Sequence, residues 1–281
     1  MPPWRGAATP PLTAMATVFV GDVHGCAAEL EELLNAVGFV NGRDRLLLTG
    51  DAFSRGPEPE RVWAILRTAG AGMVLGNHDD RLLRQLRAAA AGEAVRFRRP
   101  HHATTFERLL PLADELLPWL ESLPLCICGE TTAESARQAG LPPKPDQGVA
   151  CHGAPGQSAR QGGLPPKDKA VHKDGFVLVH AGISPERGLA GTRRQEFLTI
   201  RTWPPGHGLE GPRWHRHLEP LPATLVFGHD APGGLTVDRL SGRRRPWLVG
   251  LDSGCVYGGC LSAWLFETDR LVQVPSRQPR P

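Results

Sequence analysis

From Thr17 to Ala91 the chain alternates short apolar runs with amphipathic stretches. Thr17 to Val20 is β-branched and apolar and stops at Gly21, which predicts a buried strand. Ala27 to Val37 has apolar residues at helical spacing, with Glu29, Glu31 and Glu32 in the early turns, and predicts a helix. Arg45 to Leu48 follows as a strand, Pro59 to Thr68 as a helix, Met73 to Leu75 as a strand and Asp80 to Ala91 as a helix. This alternation predicts an α/β sheet with parallel strands. Asp114 to Leu123 is a further helix. Leu125 to Cys128, Phe176 to Val179, Ala223 to Phe227, Pro246 to Leu251, Leu261 to Phe266 and Leu271 to Val274 read as strands with turns between them. A helix-rich first half and a β-rich second half predict a two-layered, sandwiched sheet within one domain, residues 16–281.

Two segments stand outside this pattern. Met1 to Ala14 is rich in proline and alanine without an apolar core, so it predicts a disordered leader over residues 1–15 rather than a secretory signal. Residues 129–174 are crowded with Gly, Pro, Lys and Gln. They repeat SARQAGLPPKPD, Ser135 to Asp146, as SARQGGLPPKDK, Ser158 to Lys169. Two copies are too few for a solenoid and the composition cannot supply a core, so a surface insertion is expected.

Composition narrows the class without naming the chemistry. The 281 residues carry a net charge of +3 and a pI near 8.6. That is mildly basic, and no stable DNA binding is expected. No apolar run approaches the roughly 20 residues that cross a bilayer. The six cysteines contain no CxxC pair and read as buried small hydrophobes, so a cytoplasmic protein without disulfides is expected.

The candidate chemistry follows the strands. GDVHG after the first gives Asp22 and His24, GDAFSRG after the second gives Asp51 and Arg55, and GNHD after the third gives Asn77 and His78. Ligands of open α/β sheets bind beyond the carboxyl ends of the strands, so three successive strand ends aim polar groups at one place. Carboxylate, imidazole and amide oxygen together suit Mn²⁺, Fe or Zn²⁺ better than Ca²⁺. Two ions ~3.5–4 Å apart could hold a hydroxide and clamp phosphoryl oxygens. His180, ending FVLVH, and His229, ending LVFGH, repeat the pattern.

GDVHG, GDAFSRG, GNHD, HAG and the late GH resemble the signature of phosphoprotein-phosphatase-type metallophosphoesterases. SRGPEPERVWAILRTAGAGMVLGNHDDRLLR, ADELLPWLESLPL and LDSGCVYGGCLSAWLFETDRLVQVPS are similar to the symmetrically cleaving diadenosine tetraphosphatases. The resemblance runs from Val18 to about Pro275 apart from the insertion. It implies a calcineurin-like β-sandwich flanked by helices, with a dimetal site at the strand ends. It implies that Asp22, His24 and Asp51 hold one divalent ion and Asp51, Asn77, His180 and His229 the other. Mn²⁺ is the first expectation, with Mg²⁺, Co²⁺, Fe and Zn²⁺ also accommodated. His78 would protonate the leaving oxygen, and Arg55 and Arg201 would grip phosphate. The implied reaction is in-line hydrolysis of diadenosine tetraphosphate to two ADP by a hydroxide bridging the ions. A protein phosphatase acting on Ser, Thr or Tyr phosphate, or removal of dinucleotide-type caps from RNA, are the alternatives.

One departure bears on mechanism. Ser54 stands where the protein phosphatases have an aspartate that orients the catalytic histidine. A hydroxyl stabilises an imidazolium less than a carboxylate does, which favours anhydride substrates, whose leaving groups need little protonation. Arg81, Arg84, Arg87, Arg96, Arg98, Arg99, His101 and His102 read as a solvated basic face or, more sharply, as a rim attracting a polyphosphate. Trp203, Tyr257 and Trp264 read as core aromatics or, alternatively, as stacking partners for a base, and Arg243 to Arg245 as a solvated turn.

Overall fold

The computed structural model describes residues 15–129 and 175–280. All but the last residue of the expected leader, and all but the first residue of the expected insertion, lie outside them. Two five-stranded sheets face each other. In the first, β1 (Thr17–Val20), β2 (Arg45–Leu48) and β3 (Gly72–Met73) run parallel, while β9 (Cys260–Leu265) and β10 (Arg270–Pro275) extend the other edge antiparallel. In the second, β4 (Cys126–Gly129) lies antiparallel to β5 (Phe176–Val179), β6 (Thr224–Phe227) and β8 (Leu248–Gly250) continue parallel, and β7 (Thr236–Asp238) closes the edge antiparallel.

The period of two along each strand divides the core. In β1, Phe19 points between the sheets, where it packs edge-on to Phe176 at 4.8 Å and stacks on Trp264 at 5.7 Å. Its neighbours Val18 and Val20 face outward onto the apolar stripes of α1 (Ala27–Val37), α2 (Pro59–Thr68), α3 (Asn77–Ala90) and α5 (Ala113–Ser122). On the far side, Val177, Val179, Leu225 and Phe227 pack on Phe197 and Leu198 of α7 (Arg194–Thr199), which follows the single turn α6 (Gly188–Gly191), and on Trp214. This is the helix-flanked sandwich the pattern predicts.

The differences have local causes. The third strand is shorter than expected because Leu75 turns its N–H to the Pro124 carbonyl rather than to β2. The following helix starts at Asn77, not Asp80, because the Asp79 carboxylate accepts the Gly76 N–H and caps the first turn. A helix the sequence reading lacks, α4 (Pro100–Leu109), enters through Pro100 and buries Phe106 and Leu109. Trp264 is core, and Trp203 packs partly buried beside the second sheet. Tyr257 is instead 38% exposed, beneath Arg55. Arg84 and Arg87 pair with Asp80 and Glu121, each at 2.7 Å, as a solvated helix face does. Arg243 donates to the Leu221 and Pro222 carbonyls, and Arg245 lies over Phe266.

Candidate dimetal centre

Because β1, β2, β5 and β6 end at the same edge of the sandwich, the residues after them meet there. Asp22 follows β1 and is buried. Its Oδ1 accepts the Thr49 hydroxyl at 2.7 Å and its Oδ2 the His229 N–H at 3.0 Å. The approach is so close that a Cβ on Gly228 would stand 2.0 Å from Asp22 Oδ1. His24, Asp51, Arg55 and His229 all take left-handed backbone conformations, with φ of 49°, 52°, 78° and 67°. Such strain in non-glycine residues gathers at functional sites. His24 Nε2 lies 3.7 Å from Asp51 Oδ2, and His180 Nε2 lies 3.7 Å from Asp51 Oδ1. Asp51 thus stands between two groups of donors: Asp22 with His24, and His180 with His229.

The hydrogen bonds say what belongs between them. His180 Nδ1–H donates to the Thr49 carbonyl at 2.8 Å, so in the neutral ring Nε2 carries the lone pair. That lone pair faces Asn77 Oδ1 at 3.0 Å, His229 Nδ1 at 3.1 Å and the Asp51 carboxylate. Burial holds His24 down to about 3 and His180 to about 4, and it lowers His229. The rings are therefore neutral, and electron pairs converge on one another in a dry site. Burial likewise pushes the Asp51 carboxyl up to about 7 and raises Asp22. Convergent acceptors of this kind are reconciled by cations, so the residues present fit divalent metal ions.

A profile of the calcineurin-like phosphoesterases matches residues 15–259. The chain belongs to this family. Its relatives include proteins named symmetrical bis(5'-nucleosyl)-tetraphosphatase. That from Proteus mirabilis is 32% identical over 289 residues, 93% of this chain and 98% of its own length. That from Escherichia coli is also 32% identical, over 94% of this chain and 96% of its own. A crystal structure of a candidate diadenosine tetraphosphatase superposes with a TM-score of 0.62 at 28% identity, covering 95% of this chain and 96% of that one. The phosphoesterase is a hydrolase of the metallophosphoesterase type, and among its described residues no helix is long and apolar enough to cross a membrane.

The remaining predicted residues of the phosphoesterase gather around the same point. His78 lies in the first turn of α3 with its N–H on Asp51 Oδ1 at 2.8 Å, and its ring stands edge-on to His24 at 5.2 Å. Arg55 Nη2 donates to His78 Nε2 at 3.3 Å. Arg201 Nη2 donates to the His229 carbonyl at 3.0 Å. Ser54 is differently placed from the sequence expectation: its hydroxyl lies 3.2 Å from His24 Nδ1, and His78 is supported by Arg55 instead.

Three residues that carry the geometry had no role assigned from sequence. Thr49 bonds both Asp22 and His180. Asp79 accepts N–H groups from Asp51 at 2.6 Å, Ala52 at 3.2 Å and Gly76 at 3.2 Å, clamping the second motif to the third. Asp252 is buried at the end of β8, where burial pushes it up to about 7. The signal for Asp252 was present: LVGLD is another apolar strand ending in an acid, as LLLTGD is.

Proposed function

We propose that this phosphoesterase hydrolyses dinucleoside polyphosphates, cutting diadenosine tetraphosphate symmetrically into two ADP. Asp22, His24 and Asp51 hold one divalent ion and Asp51, Asn77, His180 and His229 the other, with Mn²⁺ the favoured metal. Bound there, the two ions supply Lewis acidity toward the phosphoryl oxygens and lower the pKa of water. Arg55, beside His78, and Arg201, beside His229, bind the equatorial oxygens as charge builds on them. His78 hydrogen-bonds the departing oxygen.

The observation that carries the substrate choice is the surroundings of His78. Among the described residues no carboxylate touches its ring; Arg55 donates to its Nε2. Burial, then His24 and Arg55, lower its pKa. An imidazole held neutral gives little help to an alkoxide leaving group, whereas a nucleoside diphosphate departs as a stable anion. This replaces Ser54 as the reason for an anhydride substrate and agrees with the names of the full-length relatives. The cytoplasm suits such a metabolite.

The test offers diadenosine tetraphosphate, a phosphoserine or phosphotyrosine peptide and a capped RNA to the Mn²⁺-reconstituted protein. ADP as the sole nucleotide product of the first, with slow turnover of the others, is the expected result. Fast phosphate release from the peptide and slow dinucleotide cleavage would make the chain a protein phosphatase.

A further inference from the structure

Beside the dimetal centre, α4 brings two more histidines against His78. The His102 ring centroid lies 5.9 Å from that of His78, and the His101 centroid lies 6.4 Å from it. One nitrogen from each of the three rings lies within 4.8 Å of the others, a spacing a metal ion could bridge. The neighbouring guanidiniums point to a different ligand. Arg81 Nη1 donates to His102 Nε2 at 2.8 Å. An arginine cannot accept a hydrogen bond, so Nε2 of the neutral ring carries the lone pair and Nδ1 carries the hydrogen. Burial, then Arg81, holds His102 down to about 4, so the ring is neutral. His102 Nδ1–H is therefore a buried donor, and it has no acceptor among the described residues. His101 Nε2 is buried and likewise without a partner.

Two further features suit an anion. Among the described residues neither Arg81 nor Arg55 is paired with a carboxylate, unlike Arg84, Arg87 and Arg108 beside them. No side chain caps the amino end of α4, where His101 and His102 sit, and a helix of that length presents a partial positive charge there. A cavity of about 270 Å³ opens alongside, lined by Arg55, His101, Thr104 and Arg108 among others. Buried donors without acceptors are rare in folded proteins and call for a partner.

We propose that His101 and His102, backed by Arg81 and Arg55, form a second phosphate subsite that holds the phosphate adjoining the one under attack. The assignment rests on the polyphosphate reading and deepens it: a phosphomonoester has nothing to place there, while a polyphosphate chain does. The subsite selects substrate by binding, through imidazole N–H groups and guanidiniums rather than through a third metal.

Calorimetric titration of the Mn²⁺-loaded protein with orthophosphate and with imidodiphosphate, which spans two phosphate positions, reads the subsite without turnover. In His101→Ala, imidodiphosphate affinity falls about tenfold and orthophosphate affinity less than about twofold, as loss of one charge-assisted bond requires. His101 is partly exposed, so the variant folds; His102→Leu is the companion change. The ratio of kcat/KM for diadenosine tetraphosphate to that for p-nitrophenyl phosphate falls by the same factor. Equal losses for both anions, or no loss for either, overturn the subsite. If the wild-type protein binds imidodiphosphate through His101 but does not cleave the dinucleotide, the substrate assignment falls and the subsite stands. Cleavage with imidodiphosphate affinity unchanged in the variant removes the subsite alone.

Discussion

Asp79→Asn is the most informative single change outside the candidate ligands. The Asp79 carboxylate is 1% exposed and takes three backbone N–H groups, two on Oδ2 from Asp51 and Gly76 and one on Oδ1 from Ala52. An asparagine keeps the shape but only one acceptor oxygen. If that oxygen takes the place of Oδ2, the Ala52 N–H faces an amide NH₂; the other orientation leaves both Asp51 and Gly76 unsatisfied. Each buried donor left without a partner costs about 1–3 kcal/mol, so the variant loses roughly 2–4 kcal/mol. For a chain of this size that is a fall in Tm of about 5–15 °C. The lost bonds also release Asp51, whose φ of 52° is held from both sides by this clamp and by its contact to the His78 N–H. Supporting contacts of this kind are worth about 10–100-fold in metal affinity. Scanning calorimetry with and without Mn²⁺, together with a Mn²⁺ titration, measures both. Asp79→Ala, with three orphaned donors, lies lower still. An Asn variant that melts within about 1 °C of the wild type and binds Mn²⁺ equally well would refute the clamp.

Gly76→Ala puts a Cβ 2.2 Å from Asp51 Oδ1; the carboxylate must move, and Mn²⁺ titration will find binding weakened by at least about tenfold. Arg55→Lys replaces a fork with a point charge and removes the donor to His78 Nε2, so steady-state kinetics will give a kcat/KM for diadenosine tetraphosphate lower by about 10–100-fold. Burial pushes the Asp51 carboxyl of the metal-free protein up to about 7. Below that pH the carboxyl holds a proton that an incoming ion must displace, so metal affinity falls as pH drops through about 7. Calorimetry at pH ~6.5 in buffers of different ionisation enthalpy will register proton release, and a buffer-independent heat would contradict it.

The sandwich and the dimetal centre were legible because both follow periodic or strand-end signals. Phe19 alternates with Val18 and Val20, and Asp22, Asp51, Asn77, His180 and His229 each stand just past an apolar run. Asp79 was hidden because its task is to accept backbone N–H groups, and nothing in GNHDD distinguishes that from a helix-starting acid. The sequence position of Ser54 did not reveal its partner: a short hydroxyl reaches only what the turn sets beside it, and the turn carries it to His24 rather than to His78. Helix α4 escaped because Arg96, Arg98 and Arg99 precede it and its apolar face is narrow, so its histidines were read as surface charge.

Two sets of histidines lie next to each other here, and residue type alone would assign both to metal. The second partner of each ring separates them. His180 gives its hydrogen to a carbonyl, the Thr49 oxygen, and so turns a lone pair toward Asp51 and Asn77, where only a cation resolves the crowding of acceptors. His102 receives a hydrogen from Arg81, and so is left with a buried N–H that has no acceptor among the described residues. On the proposed assignments the same imidazole serves as a metal ligand in one environment and as an anion donor in the other. Placed side by side, the two arrangements match the two ends of the chemistry: cations where the phosphorus is attacked, and hydrogen-bond donors where the rest of a phosphate chain must lie. A monoesterase needs only the first. The second lies beside His78, where a polyphosphate substrate would use it and a phosphorylated side chain would not.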